Sequence, residues 1–151
     1  KLPEAEIKKK ILSYLRGEFQ DEKIVPIIFE RISKWSDIPT MLNAGELDCF
    51  AKEKRPKIDR KKLIYKDSTL QKISNNLKLV IGVLEKISEK NFTAENIKNS
   101  LMKIADGLPS RGELLHPVRY ALSGKDKSPD PFIIAEILGR DETLFRLQKA
   151  V

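Results

Sequence analysis

The sequence holds one cysteine, one histidine and one tryptophan among 151 residues. A lone thiol, Cys49, excludes an intramolecular disulfide and a zinc site built on cysteines. A lone imidazole, His116, leaves no histidine pair for a metal and no second base for a proton relay. The seven glycines are isolated, so no glycine-rich loop can cradle a phosphate. No apolar run approaches the roughly 20 residues that cross a bilayer. The opening from Lys1 to Lys10 is charged and lacks the apolar stretch of a signal peptide. The first methionine is Met41, so the chain reads as a fragment of something longer.

No catalytic constellation is left after these exclusions. His116 precedes a proline and reads as a cap or a packed ring. Cys49 beside Phe50 reads as a small buried residue. Asp126 and Asp130 share a segment with Lys125 and Lys127, which is the composition of a capped, solvated loop and not of an acid–base pair. Trp35 reads as a core or subdomain-interface residue, with base stacking as the lesser alternative.

What the chain does have is charge and helical period. Lys and Arg number 29 against 22 Asp and Glu, a formal net charge of +7. Such an excess favours an anionic partner, of which a phosphate backbone is the commonest. Ile7, Ile11 and Leu15 recur at helical spacing and predict a first helix ending near Gly17. Asp21 is placed to cap a second helix striped by Ile24, Ile27, Ile28 and Ile32, with Pro26 tolerable only in its first turn. Ser36 or Asp37 restarts a short helix through Met41. Ser68 is expected to cap the longest helix, whose Leu70, Ile73, Leu77, Val80, Leu84 and Ile87 form a heptad-like seam. Thr93 caps the next, with Phe92 and Ile97 as a hydrophobic staple and Gly107 as a left-handed stop.

Ser110 and Glu113 have the spacing of a capping box, and Pro117 predicts a break, with a separate helix from Pro117 to Ser123 stopped by Gly124. Asp130 with Pro131 starts another helix that Gly139 stops, and Asp141 caps the last. The expectation is an all-α chain of about eight helices, in two subdomains, 1–60 and 61–151. The division rests on a change of composition from Ala51 to Lys66, where eight basic residues face two acidic ones. That window reads either as a solvated linker or as a nucleic-acid contact.

The C-terminal third carries a resemblance. It reads Ser110-Arg-Gly-Glu-Leu-Leu-His-Pro-Val-Arg-Tyr-Ala-Leu-Ser-Gly124, then Lys-Asp-Lys-Ser-Pro-Asp-Pro-Phe132, and closes on Ile-Leu-Gly-Arg-Asp-Glu-Thr-Leu-Phe-Arg-Leu147. In order and spacing this resembles the end of bacterial glutamyl-tRNA synthetase, a class I aminoacyl-tRNA synthetase. Upstream, Phe29-Glu-Arg-Ile-Ser-Lys-Trp-Ser-Asp-Ile38 is similar to the family's arginine-bearing segment, with Lys34 and Trp35 in place of Thr-Leu. The family's HIGH-like and KMSKS-like signatures are absent from this sequence. The resemblance therefore implies the anticodon-binding region alone, a two-part α-helical cage within a larger multidomain enzyme.

It further implies a role without chemistry in this fragment, namely recognition of the tRNA-Glu anticodon stem-loop for a parent glutamate–tRNA ligase. By the same resemblance, ATP and Mg belong to the parent's catalytic domain, which would be the partner of this region in the same chain. The protein would be cytoplasmic and monomeric, with no membrane association. Residues carried over to anticodon contact are Arg31, Arg119, Lys125, Ser128, Pro129, Pro131 and Phe132. Lys52, Lys54, Arg55, Lys57, Arg60, Lys61 and Lys62 are candidates for the phosphate backbone, a contact that holds but does not read sequence. Two readings from other classes remain. One is a helical DNA-binding regulator with a recognition helix starting at Pro117. The other is a protein-interaction module presenting the Leu70–Ile87 seam.

Overall fold

The structure, a computed structural model, describes residues 2–125 and 127–151, and the backbone only of Glu18. Asp126, considered with Asp130 as a carboxylate pair, lies outside the described residues. Among those residues there are eight α-helices, five short 3₁₀ turns and no strand. The chain divides between Lys54 and Arg55, against the boundary at 60 expected from composition.

The first unit contains α1 (Glu4–Tyr14), α2 (Val25–Arg31) and α3 (Asp37–Asn43), with α1 packed on both others. Its core is Ile11, Leu15, Ile24, Ile28, Ile38 and Leu47, all essentially inaccessible. Asp21 caps a 3₁₀ turn, Glu22–Ile24, that leads into α2, and Pro26 falls in the first turn of that helix. Cys49 and Phe50 are buried.

The second unit contains α4 (Leu70–Glu85), α5 (Ala94–Ala105), α6 (Gly112–Ser123), α7 (Pro131–Leu138) and α8 (Arg140–Ala150). α4 packs on α5, α6 and α8, and α7 packs on α5, α6 and α8. The seam residues Ile73, Leu77, Val80 and Leu84 are buried inside this unit. They are therefore not a contact face for another protein, and the interaction-module reading fails on this burial.

Several local expectations are corrected. The cap of α4 is Thr69, whose hydroxyl accepts the Lys72 N–H at 3.2 Å, and not Ser68. Gly107 is not the expected left-handed stop; the glycines with positive φ are Gly17, Gly45, Gly124 and Gly139. The capping box at Ser110 does not form. The Ser110 hydroxyl accepts from Gly112 N–H, and Glu113 donates its own N–H to the Ser110 carbonyl. Asp141 is no cap; Gly139 precedes α8, and Asp141 pairs with Arg140 in the first turn.

The largest correction concerns Pro117, which lies inside a continuous α6. A mid-helix proline forfeits one backbone bond and costs about 3 kcal/mol. Here Leu114, Pro117, Val118, Tyr120, Ala121 and Leu122 are all buried, and that burial outweighs the lost bond. With no helix start at Pro117, the DNA-binding regulator loses its recognition helix.

The basic window past Lys54 is neither linker nor loose arm. It lies antiparallel along α6 as a strap. Pro56 packs on Gly124, Asp59 N–H donates to the Tyr120 hydroxyl at 3.1 Å, and Lys62 C=O accepts from His116 Nε2 at 2.7 Å. Tyr65 closes the series over Gly112. Three strap residues match four helix residues at each step. The match between Asp59 and Leu63 follows from geometry, because that stretch contains the 3₁₀ turn Arg60–Leu63. Three 3₁₀ residues rise about 6 Å, as do four α-helical ones. Within the strap Leu63 is buried while the lysines face solvent.

Candidate nucleic-acid interface

Arg31 is the last residue of α2 and is exposed, with no hydrogen-bond or ion-pair partner among the described residues. The turn that follows it is held by Asp37, whose carboxylate accepts the N–H groups of Ser33 (2.9 Å) and Lys34 (3.2 Å). Those two backbone bonds, Ser33 first, hold the Asp37 carboxyl below the usual aspartate range. Trp35 in the same turn is half-buried.

In the second unit, Arg119 stands half-buried on α6. Its Nε is fully buried and has no hydrogen-bond partner among the described residues. Leaving such a donor unpaired costs about 1–3 kcal/mol. Arg119 is also stitched to the next loop. The buried Ser123 hydroxyl donates to the Arg119 carbonyl at 2.8 Å and accepts the Lys125 N–H at 3.1 Å. Gly124, left-handed at φ 69°, makes the turn.

The Lys125–Phe132 loop is less open than expected from sequence. Pro129, Pro131 and Phe132 are buried. Ser128 is half-buried and donates to the Pro129 carbonyl at 3.0 Å, and Lys125 is exposed. Pro131 has no N–H, and the Phe132 N–H is taken by the Asp130 carboxylate at 2.7 Å. The start of α7 therefore turns this donor to its own cap.

Of the backbone-contact candidates, Lys52, Lys57, Arg60, Lys61 and Lys62 are exposed and carry no anionic partner among the described residues. Lys54 pairs with Asp48 at 3.3 Å. Arg55 is bound bidentately by Glu142, Nε to Oε2 at 3.0 Å and Nη2 to Oε1 at 2.9 Å. Arg146, 2% exposed, donates to the same carboxylate at 2.9 Å and to the Leu122 carbonyl at 2.8 Å. Burial pushes the Glu142 carboxyl up, but the bonds from Arg55 and Arg146 outweigh it and hold the group below its usual range.

This cluster opens on a cleft of about 380 Å³ lined by Arg55, Pro56, Ile58, Ala121, Phe145, Arg146 and Lys149. Sequence reasoning missed Glu142, Phe145, Arg146 and Lys149. The four-residue spacing of Glu142 and Arg146 marks a helical ion pair. Nothing local points to Arg55, 87 residues away. No group of three or more His, Cys, Asp or Glu able to hold a metal occurs among the described residues, and no helix among them is long and apolar enough to cross a membrane.

Residues 6–151 match the family model described as an anticodon binding domain. Among curated relatives, the glutamate–tRNA ligase of Clostridium kluyveri is 33% identical, covering 100% of this chain and 31% of its own length. Glutamate–tRNA ligase 2 of Thermoanaerobacter pseudethanolicus is 30% identical over 86% of this chain and 26% of its own. The glutamate–tRNA ligase of Clostridium botulinum strain Eklund 17B is 28% identical over 91% of this chain and 28% of its own. The chain thus spans less than a third of the length of these relatives.

Proposed function

Because the chain belongs to the anticodon-binding-domain family, we propose that it reads the anticodon loop of the glutamate tRNA on behalf of a glutamate–tRNA ligase. Its contribution is recognition and not chemistry. Ligation, with ATP and Mg, would belong to a separate catalytic part. The setting is the cytoplasm, and this region works as a monomer.

An anticodon is unpaired, so its bases can be splayed, stacked and hydrogen-bonded along their Watson–Crick edges. The observation that carries the reading is Arg119. It stands half-buried on α6, and its backbone is tied through Ser123 to Lys125. A planar guanidinium so placed suits a bidentate contact to a base edge or a phosphate. Lys125 and Ser128 are polar members of the adjoining loop, while buried Pro129, Pro131 and Phe132 shape it from within. Arg31 is a second reader, on the first unit. Lys52, Lys57, Arg60, Lys61 and Lys62 supply sequence-independent attraction.

The test is binding of the chain to a stem-loop whose triplet ends in U-C, against a stem-loop of equal length with a scrambled triplet, at two salt concentrations. A preference for the first that survives added salt, and that falls by about tenfold in Arg119→Ala, is the expected result. Equal, salt-labile binding of both would reduce the chain's part to non-specific attraction.

A further inference from the structure

The Arg55 guanidinium is held by two side chains of α8, Glu142 and Phe145. Its Cζ lies over the Phe145 ring, 3.8 Å from the centroid. Its Nε and Nη2 edge is filled by both oxygens of Glu142. The side chain nevertheless remains 52% exposed. Arg55 also lines the cleft described above. Side-on bidentate binding of a phosphate through Nε and Nη2 is blocked, because Glu142 fills that edge. A nucleobase needs only the face, because bases stack on guanidinium planes as they do on aromatic rings.

We propose that the open face of Arg55 is a stacking platform for an unpaired RNA base, distinct from the anticodon readers Arg31 and Arg119. The proposal rests on the RNA reading given under the proposed function. Phe145 and Glu142 lock the guanidinium in place, so little side-chain freedom is lost when a base arrives. Pro56, Ile58 and Ala121 supply an apolar wall beside the platform. Lys149, with its Nζ 5.7 Å from the Phe145 centroid, stands at the cleft for the phosphate attached to that base. The cleft, about 380 Å³, is within the range of small-ligand sites, roughly 300–1,000 Å³. Stacking tolerates any base, so the platform adds affinity and not sequence preference.

The experiment uses the 151-residue chain and two stem-loops with the same U-C-ending triplet, one intact and one abasic at every loop position outside the triplet. Wild type should bind the intact loop more tightly. Arg55→Lys keeps the charge and loses the plane. It should weaken the intact loop by about tenfold and leave the abasic loop unchanged. In the ¹⁵N-labelled wild-type protein, the Arg55 Nε–Hε resonance should move by ring current with the intact loop and not with the abasic one. That second readout needs no variant and stands if Arg55→Lys folds poorly. An equal loss on both loops would make Arg55 a charge contact only and overturn the platform, as would a resonance that ignores the intact loop. Failure of the anticodon reading is separate, since it shows as equal binding of matched and scrambled triplets by wild type.

Discussion

Tyr65 fills the space that a side chain at residue 112 would need: a Cβ built on Gly112 would stand 2.3 Å from Tyr65 Cζ. His116 packs beside that ring, with centroids 5.8 Å apart. Gly112→Ala should therefore destabilise the chain by about 1–3 kcal/mol through overpacking. In a Tyr65→Ala background the same change should turn neutral or stabilising, by up to about 1 kcal/mol, as alanine favours the helix. Urea denaturation of the four-member cycle checks this, and additive effects would refute the contact.

Glu142 holds two guanidinium groups, one of them buried. Glu142→Gln leaves a buried arginine without its carboxylate and should cost about 3 kcal/mol at neutral pH. The pH dependence follows from the direction of the shift. The folded-state carboxyl lies below its ordinary 4.5. Its stabilising contribution is thus fully present above that value and is lost as pH falls through the lower folded value. Thermal melts of both proteins should differ most near neutrality and converge in acid. A gap that stays constant to low pH would show that Glu142 contributes nothing as an anion.

The Tyr120 hydroxyl accepts the Asp59 N–H and so ties the strap to α6 at mid-length. Tyr120→Phe removes the acceptor while keeping the buried ring. The expected loss is about 1 kcal/mol, with hydrogen exchange of the Asp59 amide accelerated more than that of amides in α4. Uniform acceleration would mean that the bond stabilises nothing locally.

Lys57, Lys61 and Lys62 face solvent on the strap and have no anionic partner among the described residues. Replacing all three by alanine should lower the slope of log affinity against log salt by about 0.7 to 0.9 for each phosphate that these lysines neutralise. The ratio between matched and scrambled stem-loops should not change, because such lysines position the RNA and do not read it. A changed ratio would promote them to specificity residues.

Much of the fold was legible because it is written in local rules. The helical stripes, the Thr93 cap, the Asp130–Pro131 start and the left-handed stop at Gly124 all depend on neighbours within about one turn. The misreading at Ser68 is a choice between adjacent residues of similar capping chemistry, while Gly107, Ser110 and Asp141 each lie within two residues of the observed helix end. Pro117 failed differently. Its local rule is sound, and packing of the α6 face overrode it.

The sequence by itself determined the helical class, the position of most helices and, through its ordered motifs, the family to which the chain belongs. Only the tertiary structure decided what the basic window is. A run of lysines and arginines has no preferred partner along the chain. It becomes a strap because Pro56, Asp59, Lys62 and Tyr65 meet Gly124, Tyr120, His116 and Gly112 on one face of α6. The same holds for Arg55, whose place over Phe145 and against Glu142 depends on residues 87 and more positions away. Pairings at that separation arise when the core closes, and no local pattern encodes them.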